Sequence, residues 1–250
     1  MIGGKIRIGS IKGFASLPLD NPLYHVNADG GWVHRDCDLL LFKYRSDGNL
    51  LADMIPEVFK IEKHPLVSFG VGKYGMSHVG NYHAATLAVE VEYKGLRLMY
   101  DIRQVETTTT AVAAGHPLGI PKVDGKVTLN RTGPLVSAKV ERPEGILLAT
   151  CVFRPDNFKG EMPKRAFDRF GVRVVENMDF NQRPDMIQVV KLQSKMYGGD
   201  LWTGEGAPCF TGASVIDPFH RAPVLDMEEC SLVVGTTFEV GPTGEVVDIA

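Results

Sequence analysis

One lysine in this sequence stands in surroundings that are unusual for a charged residue. Lys122 closes a run of mostly small and apolar residues that begins at position 111, and the run contains no acidic residue. Burial disfavours the ammonium form of a lysine, and the free amine is the form that attacks a carbonyl carbon. The segment is also typical of a turn lysine after Pro121 whose ammonium stays in water. Lys122 is therefore a candidate nucleophile, with a structural alternative.

Other motifs match known chemistry but lack the context that this chemistry requires. Residues 70–75 satisfy the pattern G-x-G-x-x-G, but no helix pattern follows them, so we predict a flexible loop rather than a dinucleotide site. The His-Arg-Asp triplet at residues 34–36 lacks the accompanying kinase motifs. His78 and His83 have no carboxylate or thiol close in sequence and form a weak metal signal. We expect no metal site.

Composition and charge narrow the classes of function. The 250 residues are 44% hydrophobic and 23% charged, which is typical of a soluble globular chain and excludes disorder. The formal net charge of −3 and the absence of like-charge runs give no footprint for nucleic acid or an anionic membrane. Four cysteines without a C-x-x-C pair, and no signal-like N-terminal segment, favour a cytoplasmic location. We therefore expect a small-molecule partner, with no nucleic acid and no membrane.

Short segments rich in β-branched and aromatic residues, separated by turn residues, predict a strand-rich fold. Residues 86–93 and 96–101 are predicted to form a hairpin through Lys94-Gly95, with one face buried and the other in water. The predicted strands are residues 39–44, 66–71, 86–93, 96–101, 126–129, 135–140, 146–152, 172–175, 186–193 and 232–240.

Helix signals are confined to two segments. Residues 48–55 follow a capping Asp47, and residues 163–170 begin with Pro163 and precede Gly171. Residues 154–165 are predicted to be a long loop. A mostly antiparallel barrel or sandwich follows from this strand-rich pattern.

Several segments, taken in order, resemble the acetoacetate decarboxylase family over roughly residues 17–245. The segments that carry the resemblance are residues 44–47, 50–57, 65–69, 119–122, 202–204 and 217–225. The resemblance implies a mostly β (α+β) fold, a closed, cone-like antiparallel β-barrel with few short helices, as one domain over residues 1–250. It further implies a homo-oligomer that needs no cofactor.

The resemblance also implies a reaction. The family lysine at the position of Lys122 forms a Schiff base with a small keto acid, and the resulting iminium acts as an electron sink. Loss of carbon dioxide from a β-keto acid then leaves an enamine, which is protonated and hydrolysed. Lys122 would be the amine of a carbon–carbon lyase.

Departures from the family pattern concern the groups around the nucleophile. The family usually has a second lysine directly after the first, where this chain has Val123. The family has a glutamate two residues after an aromatic residue. In this chain the residue two positions after Tyr82 is Ala84. The family has an arginine just before the first predicted strand. In this chain Cys37 occupies the corresponding position, and Arg35 lies two residues before it. Tyr82 and Arg35 are the candidate substrate-binding residues.

Because this chain lacks part of the family's set of residues around the lysine, histidines could carry out the proton transfers. Imidazole titrates near neutral pH, so His83 or His116 could act at an enamine carbon or a leaving hydroxyl. Glu106 precedes the lysine segment and could orient one of them. Each histidine could instead be a hydrogen-bonded surface group. The expected catalytic set is Lys122, His116, His83 and Glu106.

Three functions follow from these residues. The first is a cofactor-free lyase that decarboxylates a β-keto acid such as acetoacetate or a relative. The second is a Schiff-base aldolase, dehydratase or hydrolase on a pyruvate-like substrate, which the missing glutamate and second lysine favour. The third is a non-catalytic barrel that binds a small ligand in an apolar cavity.

Overall fold

The computed structural model describes residues 31–179 and 181–248, so the start of the family resemblance, residues 17–30, lies outside the described residues. Strands dominate, and two short α-helices, α1 (Gly48–Leu51) and α2 (Thr109–Gly115), lie between them. The strands are β1 Trp32–Arg45, β2 Leu66–Tyr74, β3 Met76–Ser77, β4 Tyr82–Tyr93, β5 Leu96–Glu106, β6 Lys122–Asp124, β7 Lys126–Thr132, β8 Leu135–Glu141, β9 Leu147–Glu161, β10 Arg165–Val175, β11 Met186–Tyr197, β12 Asp200–Phe210 and β13 Asp226–Asp248.

Seven of these strands close into a barrel. Hydrogen bonds join β1, β2, β4, β5, β10, β11 and β13 in that order, and β13 pairs back with β1. The pairs are antiparallel except that of β5 with β10, which is parallel. Closure leaves this part of the sheet without a free edge. The prediction of a mostly β, closed barrel with few short helices is confirmed.

The remainder of the same 13-stranded sheet, which we call the second sheet, covers part of the barrel's outer surface. β12, β9, β8 and β7 continue in that order from β13. Phe42 on β1 and Phe69 on β2 are fully buried in one hydrophobic cluster with Ala138 on β8 and Phe153 on β9. The main core therefore lies between the outer face of the barrel and this second sheet, which leaves the barrel's interior for other contents.

The predicted hairpin is confirmed, but the face predicted to lie in water instead lines the barrel's interior cavity. Tyr93 pairs with Leu96 across a turn in which Lys94 and Gly95 have φ angles of 50° and 81°. Successive side chains of a strand point to opposite faces. Those that pack into the core from β4 are Leu87, Val89, Val91 and Tyr93. Those that line the interior cavity are Tyr82, Ala84, Thr86, Ala88 and Glu90.

Two predictions for the middle of the chain are wrong. Residues 163–170, predicted as a helix, mostly belong to β10, which pairs along its length with β11. Residues 154–165, predicted as a loop, mostly belong to β9, which continues to Glu161 and pairs with β12. In both places the pairing with distant strands overrides weak local signals from Pro163 and the polar residues.

The glycine-rich segment 70–75 is also not a flexible loop. Gly70 and Gly72 lie within β2, where they pair with Leu41 and Leu39 of β1 and with Thr86 and Ala84 of β4. No helix follows in residues 76–82, so the prediction that no dinucleotide-binding helix is present is confirmed.

The predicted helix at 48–55 is present as α1 followed by a 3-10 turn at Ala52–Met54, and Asp47 Oδ1 accepts a hydrogen bond of 2.9 Å from the Asn49 amide. The sequence patterns did not indicate α2. Within the described ranges, no helix combines the length and apolar character that a membrane span requires. All four cysteines are free thiols.

Candidate active site

The barrel encloses a cavity of about 940 Å³. Ligand pockets typically measure about 300–1,000 Å³, so this cavity can hold more than a very small molecule. The polar side chains on its wall include two groups that lie near Lys122 and Arg169. The first, which we term the reactive cluster, comprises Lys122, Glu106, Tyr82, His34 and Tyr74; the second, the arginine cluster, comprises Arg169, Asp101 and Gln104.

The segment between α2 and β6 places Lys122 on the cavity wall. Thr108 caps α2 by accepting the Ala111 amide hydrogen bond, and the helix continues into a 3-10 turn, His116–Leu118. Gly119 then reverses the chain with a left-handed φ of 71°, which suits glycine. β6 runs parallel to β5 and sets Lys122 opposite Gln104. The backbone path therefore turns the lysine back towards β5 and the cavity.

Lys122 and Glu106 form a buried ion pair. Nζ of Lys122 lies 2.6 Å from Oε1 of Glu106, and their side chains are 11% and 1% exposed. Nζ also donates a hydrogen bond of 3.2 Å to the Ala111 carbonyl. Glu106 Oε2 is buried without a hydrogen-bond partner among the described residues. One carboxylate oxygen thus holds the amine while the other is buried and makes no hydrogen bond within the described part of the chain.

Tyr82 and His34 form a hydrogen-bonded pair beside the lysine. Nζ of Lys122 lies 6.0 Å from the centre of the Tyr82 ring. Nδ1 of His34 is 3.3 Å from the Phe238 carbonyl, and Nε2 is 2.9 Å from the Tyr82 hydroxyl oxygen. A carbonyl only accepts, so Nδ1 carries the proton of the neutral ring and Nε2 accepts from the hydroxyl. The Tyr82 oxygen keeps its lone pairs for a further donor.

Burial and charge keep these two rings neutral. Burial, followed by the charge of Lys122, lowers the pKa of His34 to about 4. Burial raises the pKa of Tyr82 well above its ordinary value, with a smaller contribution from the phenol of Tyr74. Tyr74 stacks on Tyr82 with ring centres 4.7 Å apart. At neutral pH the pair can therefore exchange hydrogen bonds with a ligand without carrying charge.

The arginine cluster provides a second polar group on the cavity wall. Arg169 Nη1 contacts both carboxylate oxygens of Asp101, at 3.1 and 2.9 Å, and Gln104 Nε2 donates to Asp101 at 2.9 Å. Arg169 Nε is buried without a hydrogen-bond partner in the described part of the chain. Burial is the main cause of the raised pKa of Tyr74, and the charges of Glu106, Arg169 and Asp101 also affect this pKa. Tyr74 therefore lies within electrostatic reach of both clusters.

The structure brings together three of the residues that the sequence indicated and separates the other three. Lys122, Glu106 and Tyr82 share the reactive cluster. His83 follows Tyr82 on β4 and is absent from the cavity wall, as strand alternation requires. The other two are exposed residues off the cavity wall: His116, whose Nε2 lies 3.0 Å from the Lys122 carbonyl, and Arg35.

Several residues of both clusters had no usable signal in the sequence. His34 lies in the His-Arg-Asp triplet, whose other motifs are missing, and Arg169 lies in the segment predicted as a helix. Alternation along β1 and β10 could have placed both side chains inside the barrel once the strands were known. Among residues 31–179 and 181–248, no group of three or more His, Cys, Asp or Glu side chains is arranged to hold a metal ion.

Comparison with known proteins identifies the family. The acetoacetate decarboxylase family model matches residues 20–242. Decarboxylase DEC1 of Cochliobolus heterostrophus is 26% identical over 201 residues, which cover 76% of this chain and 78% of that protein. Acetoacetate decarboxylase of Burkholderia ambifaria is 25% identical over 231 residues, covering 89% and 90%.

Solved structures share the fold at low sequence identity. Acetoacetate decarboxylase from Legionella pneumophila superposes with a TM-score of 0.76 at 19% identity, covering 96% of this chain and 98% of that chain. The enduracididine biosynthesis enzyme MppR, complexed with pyruvate, gives 0.69 at 13% identity, covering 94% and 96%. The family match over most of the chain carries the conclusion: the protein belongs to the acetoacetate decarboxylase family, whose homologues indicate a decarboxylase-like enzyme.

Proposed function

We propose that this protein is a cofactor-free lyase that decarboxylates a β-keto acid through a Schiff base on Lys122. The observation that carries the proposal is the buried contact of 2.6 Å between Lys122 Nζ and Glu106 Oε1 inside the barrel cavity. A keto acid that enters the cavity meets an amine with a proton acceptor already hydrogen-bonded to it. An adjacent general base is one of the ways in which a nucleophile is activated.

Glu106 can serve both proton transfers of Schiff-base formation. It receives the proton that the Lys122 ammonium loses before the nitrogen lone pair attacks the ketone carbon. Attack forms the carbon–nitrogen bond and breaks the carbonyl π bond, and a proton passes from the nitrogen to the new alkoxide to give a carbinolamine. The protonated carboxyl then returns a proton to the carbinolamine hydroxyl, which leaves as water and gives the iminium. Oε2, which has no partner among the described residues, is the oxygen free for this second transfer.

The iminium allows carbon dioxide to leave without a free carbanion. The bond between the α-carbon and the carboxylate breaks, and its electron pair forms the enamine. A proton then adds to the enamine carbon, and water hydrolyses the resulting iminium to the ketone and the free amine. The neutral Tyr82–His34 pair beside Lys122 can orient a water or the substrate for these steps.

Arg169 is suited to hold the substrate carboxylate without trapping it. Its guanidinium is partly neutralised by Asp101, and its Nε has no partner among the described residues. A carboxylate loses its negative charge as carbon dioxide forms, so a strong unshared ion pair would stabilise the ground state more than the transition state. A shared arginine can position the group while it opposes the reaction less.

A second candidate function is aldol addition or dehydration on a pyruvate-like substrate. The cavity of about 940 Å³ leaves room for a second reactant beside a small keto acid. This chain also has Val123 and Ala84 where the family has a second lysine and a glutamate. The fold neighbour MppR has a structure with the condensation product of pyruvate and imidazole 4-carboxaldehyde. These features support iminium chemistry with a different product.

Borohydride trapping tests the proposal. Wild type, Lys122→Ala and, as a control, Lys126→Ala, which removes an exposed lysine paired with Glu144, are incubated with acetoacetate, larger β-keto acids and pyruvate. We expect one reduced adduct, mapped to Lys122 by peptide mass spectrometry, and carbon dioxide release above the spontaneous rate. A pyruvate adduct that forms carbon–carbon bonds with aldehydes, without carbon dioxide release, would favour the second function. No adduct with any keto acid would favour the non-catalytic binding barrel.

A further inference from the structure

The cavity extends well beyond the reactive cluster along strands β1, β2 and β4. Gly70 lies four residues before Tyr74 on β2, so it is roughly 13 Å from the level of the stacked tyrosines at 3.3 Å per residue. Leu41 and Thr86 pair with Gly70 on the two neighbouring strands, and both line the same cavity. The four-carbon chain of acetoacetate has three carbon–carbon bonds and spans only about 3.8 Å. A substrate of that size leaves this far compartment empty.

Small and apolar side chains together line the far compartment. Gly70 and Ala88 present little side-chain volume to the cavity, and Thr86 presents a short branched side chain. The large apolar residues that line the cavity include Leu39, Leu41, Met99, Met196 and Val233, of which Leu41 adjoins Gly70 on β1. Such a surface suits an alkyl or aryl group.

Gly70 keeps the compartment open without any backbone need for glycine. A β-carbon there would meet Leu41 Cδ1 at 3.5 Å and the Leu40 carbonyl oxygen at 3.8 Å, which is ordinary van der Waals contact. The next inward glycine differs, because a β-carbon at Gly72 would approach Leu39 Cδ2 to 2.7 Å and Tyr74 Cε2 to 2.9 Å. Packing therefore requires glycine at 72, whereas glycine at 70 adds only free volume.

One ion pair, Lys43 with Glu229, lies on the wall of the compartment. Lys43 Nζ lies 2.7 Å from Glu229 Oε2, and Ser231 donates a hydrogen bond of 3.0 Å to the other carboxylate oxygen. These two charged side chains are 35% and 38% exposed, so they lie where the cavity meets solvent. A ligand group that reaches Lys43 and Glu229 from inside the cavity meets two charges that already neutralise each other. Other charged residues also line the cavity, namely Glu90, Arg97, Lys159 and Arg165. It is therefore the apolar surface beside Gly70 that favours an uncharged tail.

We infer that the compartment beside Gly70 binds an apolar tail of the substrate, so that the protein prefers β-keto acids with a chain several carbons longer than acetoacetate. This inference rests on the proposed function, since it names the substrate class of that same site. Each buried methylene is worth about a fourfold gain in affinity or in kcat/KM. A substrate with four more methylenes should therefore exceed acetoacetate by about a hundredfold or more.

Chain-length series on matched variants test the inference. The substrates are acetoacetate, 3-oxohexanoate and 3-oxooctanoate, and the readout is carbon dioxide release above the spontaneous rate. Gly70→Leu fills the compartment, Gly70→Ala fills it slightly and fits the observed space, and Lys73→Leu adds the same leucine at an exposed position of the same strand. We expect kcat/KM to rise with chain length in wild type and Lys73→Leu. In Gly70→Leu the ratio of kcat/KM for 3-oxooctanoate to kcat/KM for acetoacetate should fall at least tenfold, while acetoacetate turnover is retained. Gly70→Ala should give an intermediate ratio.

A preference of wild type for acetoacetate, or an equal loss for all three substrates in Gly70→Leu, would overturn the inference. Calorimetric binding of the unreactive acids butanoate and octanoate separates this failure from failure of the proposed function. Tighter binding of octanoate that Gly70→Leu abolishes supports the tail site even if no keto acid releases carbon dioxide. Equal binding of both acids, together with normal acetoacetate turnover, would remove the tail site and leave the lyase.

Discussion

The backbone of Gly115 and the side chain of Lys122 occupy adjoining space. A β-carbon at Gly115 would overlap Cδ and Cε of Lys122 and stand 2.9 Å from its Cγ. The φ of Gly115 is −84°, so any residue could adopt this backbone conformation. Glycine is needed at this position because the lysine passes across it on the way to Glu106.

Gly115→Ala should displace the lysine while the fold survives. Misplacing a reacting group by about 1 Å can lower a rate about a hundredfold, so we expect a loss of this size in the rate of borohydride-trapped adduct formation. Alanine is the better helix former, so the melting temperature should fall little or not at all. Gly70→Ala is the matched control, since it adds the same methyl group to the cavity away from Lys122. An unchanged trapping rate in Gly115→Ala would show that the lysine can take another path.

Glu106→Gln should separate binding of the keto acid from reaction with it. The amide cannot take a proton from Lys122, so we expect kcat to fall about 10²–10³-fold, within the usual range for a general acid–base. Stopped-flow absorbance of the Schiff base and carbon dioxide release measure the effect. Glu57→Gln, at an exposed carboxylate, is the control. Full activity in Glu106→Gln would assign the proton transfers to another group.

His34 should make the fold less stable in acid. Its pKa is about 4 in the folded protein and 6.5 ordinarily, so between these values the unfolded chain binds a proton that the folded protein does not. Stability therefore rises with pH across this window, by at most about 3 kcal/mol. Urea unfolding at pH 4.5 and 7 should show a smaller difference for His34→Gln than for wild type. His64→Gln, at an exposed position, should keep the wild-type difference, and an equal slope in both variants would contradict this origin.

Arg169→Met should lower the stability of the fold, because Asp101 loses its partner, and should separately raise the KM for a keto acid. Asp101 is 1% exposed, so removal of its cation leaves a buried charge at a cost of about 3–5 kcal/mol. The double variant Asp101→Asn, Arg169→Met removes both charges and should recover most of that stability. The KM for a keto acid should stay raised in both variants if the guanidinium holds the substrate carboxylate. Recovery of KM along with stability would limit the pair to a structural role.

The sequence predicted those elements whose signals are local. The hairpin around Lys94-Gly95 combines alternation with a turn pair that readily takes positive φ, and no distant partner is needed to recognise it. The segment 163–170 is different, because its start after Pro163 resembles a helix start. Its pairing with β11 decides the structure, and that pairing cannot be read from neighbouring residues.

The site residues also divide into those that local sequence indicates and those that long-range strand pairing brings together. Lys122 and Glu106 lie on either side of one short helix and could be associated by their closeness in sequence. His34 reaches the cavity only because β1 pairs with β13, and its carbonyl partner Phe238 is 204 residues away. Arg169 and Asp101 meet through the parallel pairing of β10 with β5. These residues come together only through barrel closure, which the pattern of one strand does not encode.

Barrel closure also sets when during synthesis the enzyme can begin to work. At roughly 5–20 residues per second, the ribosome adds the 204 residues that separate His34 from Phe238 in about 10–40 s. Until β13 emerges, β1 and β11 have unpaired edges that can join other chains, and the wall that encloses Lys122 is incomplete. A nascent chain therefore carries Lys122 for roughly the second half of its synthesis without an enclosed cavity. Chaperone protection of those edges would matter most in that interval.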